Sequence, residues 1–214
     1  MPADPTADPT ARDRPRIYLV TPPDFAPATF PDRLAAVLDT AEVACVRLAL
    51  ATADEDRVAR AADALREVAH ARDVALVIAR HAGLVTRLGL DGVHLDDPRA
   101  SVRALRKDLG PDAIIGAFCA ASRHDGITAA EAGADYVAFG PAGDTPLGDG
   151  TRAGTDLFQW WSEMIEVPVV ADGALDRAAV DRLAPYADFL GIGEEIWREE
   201  DAARALRRLT APAG

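Results

Sequence analysis

The sequence predicts an α/β fold, a single (β/α)8 barrel, and three observations support this prediction. The chain has 214 residues, a length that suits one such barrel. Short apolar runs alternate with helical patterns along nearly the whole chain. The runs are continuously apolar, which indicates strands that are buried on both faces, as in a parallel sheet covered by helices. A doubly wound open sheet is the alternative.

The predicted elements follow one another as βα pairs. Each strand is assigned to a short run rich in aliphatic residues, namely 16–20, 43–50, 74–79, 91–95, 113–118, 135–139, 167–171 and 188–192. Each helix is assigned to the amphipathic stretch that follows, namely 31–41, 54–71, 82–89, 100–109, 126–133, 155–166, 176–184 and 197–209. In the second helix, Asp54 can cap the first turn, and Val58, Ala61 and Leu65 lie on one apolar face.

The domain organisation is predicted to be simple. Residues 1–15 are rich in Pro, Asp and Thr and are interpreted as a flexible tail, and residues 16–214 as the barrel domain. The first residues lack the apolar core of a signal peptide, and no apolar run approaches the roughly 20 residues of a membrane span. We therefore expect a cytoplasmic protein.

Charge and cysteine content exclude several classes of function. The formal net charge of −12 argues against binding to nucleic acid or to an anionic membrane, because both require clustered positive charge. The two cysteines, Cys45 and Cys119, show no metal-binding spacing. Lys107 is the only lysine, so a catalytic amine is not expected.

In a barrel, chemistry takes place at the carboxyl ends of the strands and in the loops that follow them. We expect Thr21, Arg47, Arg80, His94, Ser122, Gly140, Asp172 and Gly193 to lie around this one rim. Further polar candidates follow the same strands: His81, Asp96, Asp97, Cys119, Arg123, His124, Asp144, Thr145, Gly173 and Glu194.

Several motifs resemble one family in order and in spacing. They are YLVT (18–21), DGVHL (91–95), IIG (114–116), GADYVAFGP (133–141) and PVVADG (168–173). These motifs are similar to those of the thiamine-phosphate synthases, a family that includes thiazole tautomerases, over roughly residues 16–209.

The resemblance implies a fold and a reaction. The fold is a (β/α)8 barrel, and the reaction joins hydroxymethylpyrimidine pyrophosphate to a thiazole phosphate, with magnesium on the pyrophosphate. The carbon–oxygen bond to pyrophosphate breaks first, and the thiazole nitrogen then captures the pyrimidine cation. The protein would contribute electrostatic stabilisation of the leaving anion.

The chain departs from the family pattern at the pyrophosphate and metal positions. Ala49–Ala51 stand where the family has an Arg-Glu-Lys run, and Ala79-Arg80 stand where it has Asn-Asp. Arg99 falls on the second metal position, although a short gap would offer Asp96 or Asp97 as a magnesium ligand. We therefore expect magnesium only together with a bound pyrophosphate, and no other cofactor is implied.

The phosphate-binding loops of the family are also altered. Thr145 matches a family threonine, but 147–149 supply no lysine. The phosphate cup reads Asp172-Gly173-Ala174 and Gly193-Glu194, and a carboxylate at Glu194 would repel a phosphate. Gly173 and Gly193 are nevertheless expected to leave backbone N–H groups open to an anion.

Arginines offer a second way to hold an anion. Arg47, Arg80, Arg99 and Arg123 could bind phosphate oxygens directly, because a guanidinium group makes paired hydrogen bonds to them. His81 would be a further substrate contact. The alternative is that these arginines are solvated or paired with Asp96, Asp97 or Asp172.

The histidines suggest proton transfer. Ser122-Arg123-His124 resembles a Ser-x-His motif of thiazole tautomerases, shifted by about four residues, in which the histidine moves a proton. The alternative is that His124 faces solvent at a helix start. His94 is either catalytic or a structural hydrogen-bonding residue.

The glycine that ends the sixth strand is expected to have a steric role. Gly140 would allow the backbone to approach a ligand or the next loop closely, and Pro141 would stiffen the exit.

These observations predict a divergent thiamine-phosphate synthase-like barrel protein, a transferase if it is active. The alternatives are an isomerase of thiazole phosphate or a barrel that binds a phosphate ligand without catalysis. The expected partner is a small phosphate ester, and a homodimer is possible.

Overall fold

The computed structural model describes residues 14–97, 100–145 and 151–211. Most of the predicted tail, Arg99 and the stretch 147–149 therefore lie outside the described residues. No helix within these ranges is long and apolar enough to cross a membrane.

The strands close into a parallel barrel in which each strand pairs with its neighbours in chain order. Their bounds are β1 (Arg16–Val20), β2 (Val43–Leu48), β3 (Ala75–Ala79), β4 (Gly92–Leu95), β5 (Ile114–Phe118), β6 (Tyr136–Phe139), β7 (Val169–Asp172) and β8 (Phe189–Ile192). The predicted barrel is confirmed, because β8 pairs with β1 and leaves no open edge. Asp172 is the last residue of β7 rather than a loop residue.

Helices cover the outside of this barrel. Their bounds are α1 (Phe30–Leu38), α2 (Glu55–His70), α3 (Gly83–Leu88), α4 (Val102–Leu109), α5 (Arg123–Glu131), α6 (Thr155–Met164), α7 (Arg177–Leu183), α8 (Glu194–Trp197) and α9 (Ala202–Thr210). As predicted, Asp54 caps α2 by accepting a hydrogen bond from the Arg57 N–H at 3.0 Å.

Two helix predictions need correction. The stretch 197–209 is not one helix, because α8 ends at Trp197 and Asp201 caps a new start by accepting from the Arg204 N–H at 2.8 Å. The helix predicted at 126–133 begins earlier, at Arg123, because Ser122 caps it.

The strands have two buried faces, which explains their continuous apolar runs. Side chains on the outer face, such as Leu19, Val46 and Ile78, join one core with the helices. Side chains on the inner face form a separate cluster in the barrel lumen, which includes Tyr18, Cys45, Val77, Tyr136, Ala138 and Val170. Successive residues of one strand alternate between these two environments, as expected in a closed barrel.

The carboxyl ends of the parallel strands meet at one end of the barrel, and strained backbone is concentrated there. Arg80, Ala120 and Ala174 follow β3, β5 and β7 and have positive φ angles of 68°, 46° and 56°. Residues other than glycine rarely adopt this conformation, and such strain is often found at functional sites.

Candidate ligand site at the carboxyl end of the barrel

A buried ion pair joins β2 and β7 at this end of the barrel. Arg47 Nη1 donates to Asp172 Oδ2 at 2.9 Å, and Nη2 donates to Oδ1 at 3.2 Å. Each side chain is only 11% exposed. Burial alone would disfavour the cation, but the neighbouring carboxylate outweighs burial and raises the pKa of Arg47 above its usual value. Arg47 therefore stays protonated, and its cation is held by the Asp172 carboxyl group through two hydrogen bonds.

Arg47 also fixes the tautomer of His94. Arg47 Nη1 lies 2.8 Å from His94 Nε2, and because a guanidinium group can only donate, this nitrogen must accept. The ring proton is then on Nδ1, which donates to Tyr136 Oη at 2.9 Å. Burial and the nearby Arg47 cation lower the pKa of His94 well below its usual value, so the ring is neutral.

The hydrogen bonds continue across the lumen to β1. The hydroxyl groups of Tyr136 and Tyr18 lie 2.6 Å apart, and burial raises the pKa of both phenols. We call this chain of five side chains the lumen network; its members are Tyr18, Tyr136, His94, Arg47 and Asp172. The lumen network differs from an open anion site because its cation, Arg47, is already paired with the Asp172 carboxyl group.

Glycines make room for the lumen network. A Cβ atom on Gly116 would lie 1.9 Å from Tyr136 Cζ, so the ring occupies the space that a side chain on β5 would need. A Cβ atom on Gly191 would lie 3.0 Å from Asp172 Oδ1. A Cβ atom on Gly140 would lie 2.3 Å from the Asp172 carbonyl oxygen. The close approach expected at Gly140 is therefore to the backbone of β7.

Glu195 makes a second internal anion contact that the sequence interpretation missed. Its Oε2 accepts from the Gly193 N–H at 2.7 Å, and its Oε1 accepts from the Leu175 N–H at 3.0 Å. One carboxylate thus bridges the loop after β7 and the loop after β8. The expectation that the Gly193 N–H is open to an anion is wrong, because Glu195 already occupies it.

The side chain of the neighbouring residue Glu194 makes a different contact. It is exposed and pairs with Arg198 one helical turn away. Two consecutive glutamates follow Gly193, and nothing in their spacing shows which of them turns back to the strand ends. The sequence therefore offered no signal that could separate Glu195 from Glu194.

The arginines proposed as anion ligands have acidic partners. Arg80 lies at the rim with its Nε 3.1 Å from Asp96 Oδ2, and its side chain is 55% exposed. Arg123 pairs with Asp156 at 3.5 Å and lies over the Trp160 ring. The alternative in which the arginines are paired with Asp96, Asp97 or Asp172 is the arrangement seen for Arg47 and Arg80, whereas the partner of Arg123, Asp156, was not among the expected ones.

The Ser122-Arg123-His124 motif lies at the start of α5. Ser122 Oγ accepts from the Asp125 N–H at 3.1 Å and acts as the helix cap, and the His124 side chain is exposed. Among the described contacts, none joins these residues to the lumen network. The structure therefore does not bring Ser122 and His124 together with His94, with which they were grouped as catalytic candidates.

The remaining candidates lie around the rim. His81 and Thr145 are half-buried, Gly173 has a φ of 86°, and its carbonyl accepts from the Gly143 N–H at 3.0 Å. Asp144 is exposed and pairs with Arg152.

The described residues do not fit a magnesium ion on their own. Within the described ranges, no group of three or more His, Cys, Asp or Glu side chains could hold a metal. Asp96 is engaged by Arg80, and Asp97 also has a partner. Magnesium usually keeps several water ligands and binds through one or two carboxylates together with the phosphates of a substrate.

Two cavities lie outside the lumen. One of about 350 Å³ lies between the β1–α1 loop and α8, and aromatic side chains of Phe25, Phe30 and Trp197 line it. Another of about 200 Å³ lies beside α4 and α5 and contains Cys119, whose thiol pKa burial raises to about 12. The lumen network lines neither cavity.

Comparison with known proteins identifies relatives along most of the chain. A family model described as thiamine monophosphate synthase matches residues 17–190. The chain is 42% identical to a thiamine-phosphate synthase of Rhodospirillum centenum over 184 residues, which cover 85% of this chain and 89% of the relative. It is 36% identical to a thiamine-phosphate synthase of Erythrobacter litoralis over 194 residues, which cover 88% and 91%.

A solved structure shows the same fold. The thiamine phosphate pyrophosphorylase of Pyrococcus furiosus matches with a TM-score of 0.75 at 20% identity, covering 91% of this chain and 95% of that one. At this identity the likeness concerns the fold alone. The family model and the curated relatives carry the assignment, and the chain therefore belongs to the thiamine-phosphate synthase family.

Proposed function

We propose that this protein is a thiamine-phosphate synthase-like barrel protein of thiamine biosynthesis, a transferase that joins hydroxymethylpyrimidine pyrophosphate to a thiazole phosphate. The observation that carries the proposal is the 42% identity to a thiamine-phosphate synthase over 85% of the chain.

A second candidate function is a barrel that binds a compound of the pathway without turning it over, and the electrostatics of the described rim residues favour it. Departure of a pyrophosphate is assisted by cations or a metal aimed at the developing charge. Among the described residues, Asp172 is paired with Arg47 and Asp96 with Arg80, and the chain carries a formal net charge of −12.

The coupling reaction needs a cation at this rim that can contact the pyrophosphate. The exposed Arg80 would leave Asp96 for this contact, because surface ion pairs are weak enough to exchange partners.

The isomerase alternative has less support. It needs a side chain that takes up and releases a proton near neutral pH. Both nitrogens of His94 are engaged in the lumen network, and His124 is exposed on α5. Among the described residues, no contact places a further proton-accepting side chain beside His94 or His124.

The test combines a coupling assay with a binding assay on the full chain. Hydroxymethylpyrimidine pyrophosphate and thiazole phosphate are incubated with the protein, with and without magnesium, and thiamine phosphate is measured. In parallel, thermal shift is recorded with hydroxymethylpyrimidine, the thiazole alcohol and thiamine, because a ligand bound only by the folded state raises stability.

The proposal expects coupling that depends on the protein and is weakened in Arg80→Ala. A saturable thermal shift with at least one ring compound, without coupling above the protein-free reaction, would overturn the proposal and establish the second candidate. The absence of both coupling and a thermal shift would contradict both candidates.

A further inference from the structure

We propose that Glu195 is a positioning residue for the phosphate group of the thiazole substrate, because its side chain holds the loop after β7 against the loop after β8. The inference rests on the proposed function for the identity of this substrate. In this role Glu195 does not touch the phosphate; it fixes the shape of the backbone that receives it.

One carboxylate joins two loops that are separate in the chain. Glu195 Oε2 accepts from the Gly193 N–H at 2.7 Å, directly after β8. Its Oε1 accepts from the Leu175 N–H at 3.0 Å, in the loop after β7. Hydrogen bonds to an ionised acceptor are among the stronger kind, and the two donors partly offset the charge of the carboxylate. Glu195 thus continues the contact between β7 and β8 beyond their last paired residues, Asp172 and Gly191.

The loop after β7 needs this support because its backbone is strained. Ala174 has a φ of 56°, which residues other than glycine rarely adopt, and Gly173 before it has a φ of 86°. Strained backbone persists only where the surrounding contacts determine it. On one side the Gly143 N–H donates to the Gly173 carbonyl at 3.0 Å. On the other side Glu195 holds Leu175, the residue that follows Ala174.

The place of these loops around the barrel mouth assigns them to one of the two substrates. In (β/α)8 barrels, the loops after the seventh and eighth strands frequently form a phosphate site. Arg80, the contact proposed for the pyrophosphate, follows β3, and β3 lies across the closed ring from β7. The two anionic groups therefore occupy opposite sides of the mouth, and the loops held by Glu195 receive the thiazole phosphate.

The test measures binding of thiazole phosphate and of the thiazole alcohol by calorimetry on full-length variants. Glu195→Ala removes both hydrogen bonds, and Glu194→Ala is the matched control because it removes the same charge from the adjacent exposed side chain. We expect Glu195→Ala to bind thiazole phosphate roughly tenfold more weakly than the wild type and the alcohol equally well. Glu194→Ala should bind both compounds at least as tightly as the wild type.

The sign of the change separates positioning from simple electrostatics. Loss of a negative charge by itself strengthens the binding of an anion, so weaker binding of thiazole phosphate in Glu195→Ala reports the lost shape of the loops. Affinity of Glu195→Ala for thiazole phosphate equal to or higher than that of the wild type would overturn the inference. An equal loss of affinity for the alcohol would also overturn it, because the effect would then not concern the phosphate group.

Two further variants separate positioning from general destabilisation. Asp201→Ala removes the side-chain cap of α9, away from these loops, and should leave the affinity for thiazole phosphate unchanged although it lowers stability. Glu195→Gln should fall between the wild type and Glu195→Ala, because the amide keeps one acceptor oxygen but presents an NH2 group to the other donor. If Glu195→Ala does not fold, Glu195→Gln carries the test with Glu194→Gln as its control.

The outcomes separate this inference from the proposed function. If thiazole phosphate binding responds to Glu195 but no coupling occurs, the proposed function fails and the inference stands. If coupling depends on the protein but thiazole phosphate binding does not respond to Glu195, the inference fails and the proposed function stands. In an active protein, Glu195→Ala should raise the KM for thiazole phosphate and leave the KM for hydroxymethylpyrimidine pyrophosphate unchanged.

Discussion

Arg47 is the residue on which the candidate site depends. It is a nearly buried cation whose terminal nitrogens donate to His94 and to both oxygens of Asp172, while its Nε is buried with no hydrogen-bond partner among the described residues. Removing one partner of a buried ion pair leaves the other charge buried and uncompensated, which strongly lowers the free energy of unfolding. Replacing both partners by apolar residues often has little effect. Stability and site geometry are therefore linked at this residue.

Replacement of Asp172 should expose that dependence. Asp172→Asn keeps the shape of the side chain but removes its charge, and we expect the free energy of unfolding to fall by about 3–5 kcal/mol. Urea denaturation measures this change. Asp156→Asn is the control, because its pair with Arg123 is long and exposed and should contribute less than about 1 kcal/mol. Similar losses in the two variants would contradict the prediction.

His94 should make the stability depend on pH in mildly acid solution. Its folded-state pKa is depressed, so as the pH falls below the ordinary histidine value of about 6.5, the unfolded chain takes up a proton that the folded chain refuses. The stability attributable to neutral His94 is complete above that pH. It declines below it by up to about 1.4 kcal/mol per pH unit, until the folded pKa is reached.

Urea unfolding of the wild type between pH 7.5 and pH 5 measures this slope. His94→Gln should have a flatter slope over the same range, whatever its absolute stability, and exposed His124→Gln should keep the wild-type slope. A wild-type slope retained in His94→Gln would show that other groups are responsible.

At the scale of elements, β5 is important to the lumen network although it carries no polar side chain. Gly116 lies in the middle of β5, directly opposite Tyr136 of β6 in the register. Glycine in a strand interior normally weakens the strand, and it is found where something must approach closely. Here the phenol ring of Tyr136 is what approaches.

Gly116→Ala should therefore be strongly destabilising. The new methyl group would overlap the Tyr136 ring, and overpacking of this kind costs about 3 kcal/mol with displacement of the ring. Thermal unfolding and the near-ultraviolet circular dichroism of the tyrosines report the two effects. Gly83→Ala is the control, since a Cβ there has nothing within 4 Å and should be neutral or slightly stabilising.

The start of α5 gives a prediction that separates capping from catalysis. Ser122→Ala should lower the free energy of unfolding by about 1 kcal/mol, because it removes the acceptor for the Asp125 N–H. Ser122→Asp should restore stability, since aspartate caps equally well. Ligand-induced thermal shifts should be the same in all three proteins; loss of the shift in both variants would instead indicate a hydroxyl group that contacts ligand.

The sequence predicted the barrel because burial on both faces leaves a visible mark, a continuous apolar run. The same burial concealed the lumen network. Tyr18 and Tyr136 lie inside such runs, and with both faces apolar there is no alternation to show which residues point into the lumen. The Arg47–Asp172 contact joins positions far apart in sequence, and only the closed barrel brings them together.

At the scale of the whole molecule, acidity and internal pairing act together. The formal net charge of −12 produces a field that disfavours the approach of anions from a distance, and among the described rim residues Arg47 and Arg80 are both paired with carboxylates. A cationic or neutral ligand does not meet this barrier.

Magnesium should bind only weakly and nonspecifically without a ligand. Calorimetry at low salt should show heat from diffuse association with the acidic surface, and physiological salt should screen it. Stoichiometric binding that survives 0.15 M salt and disappears in Asp96→Asn would contradict the expectation. It would show that the metal displaces Arg80 from Asp96.

The lumen network also limits what the barrel can do with protons. A row of hydrogen bonds conducts a proton only when every member can change from donor to acceptor, as water molecules do. Arg47 cannot lose its proton under ordinary conditions, and it holds His94 in a single tautomer. The direction of the hydrogen bonds from Arg47 to Tyr136 is therefore fixed, and a proton cannot pass through Arg47. The lumen network braces the strands that it joins, and any reaction at this mouth must exchange its protons with solvent rather than through the lumen.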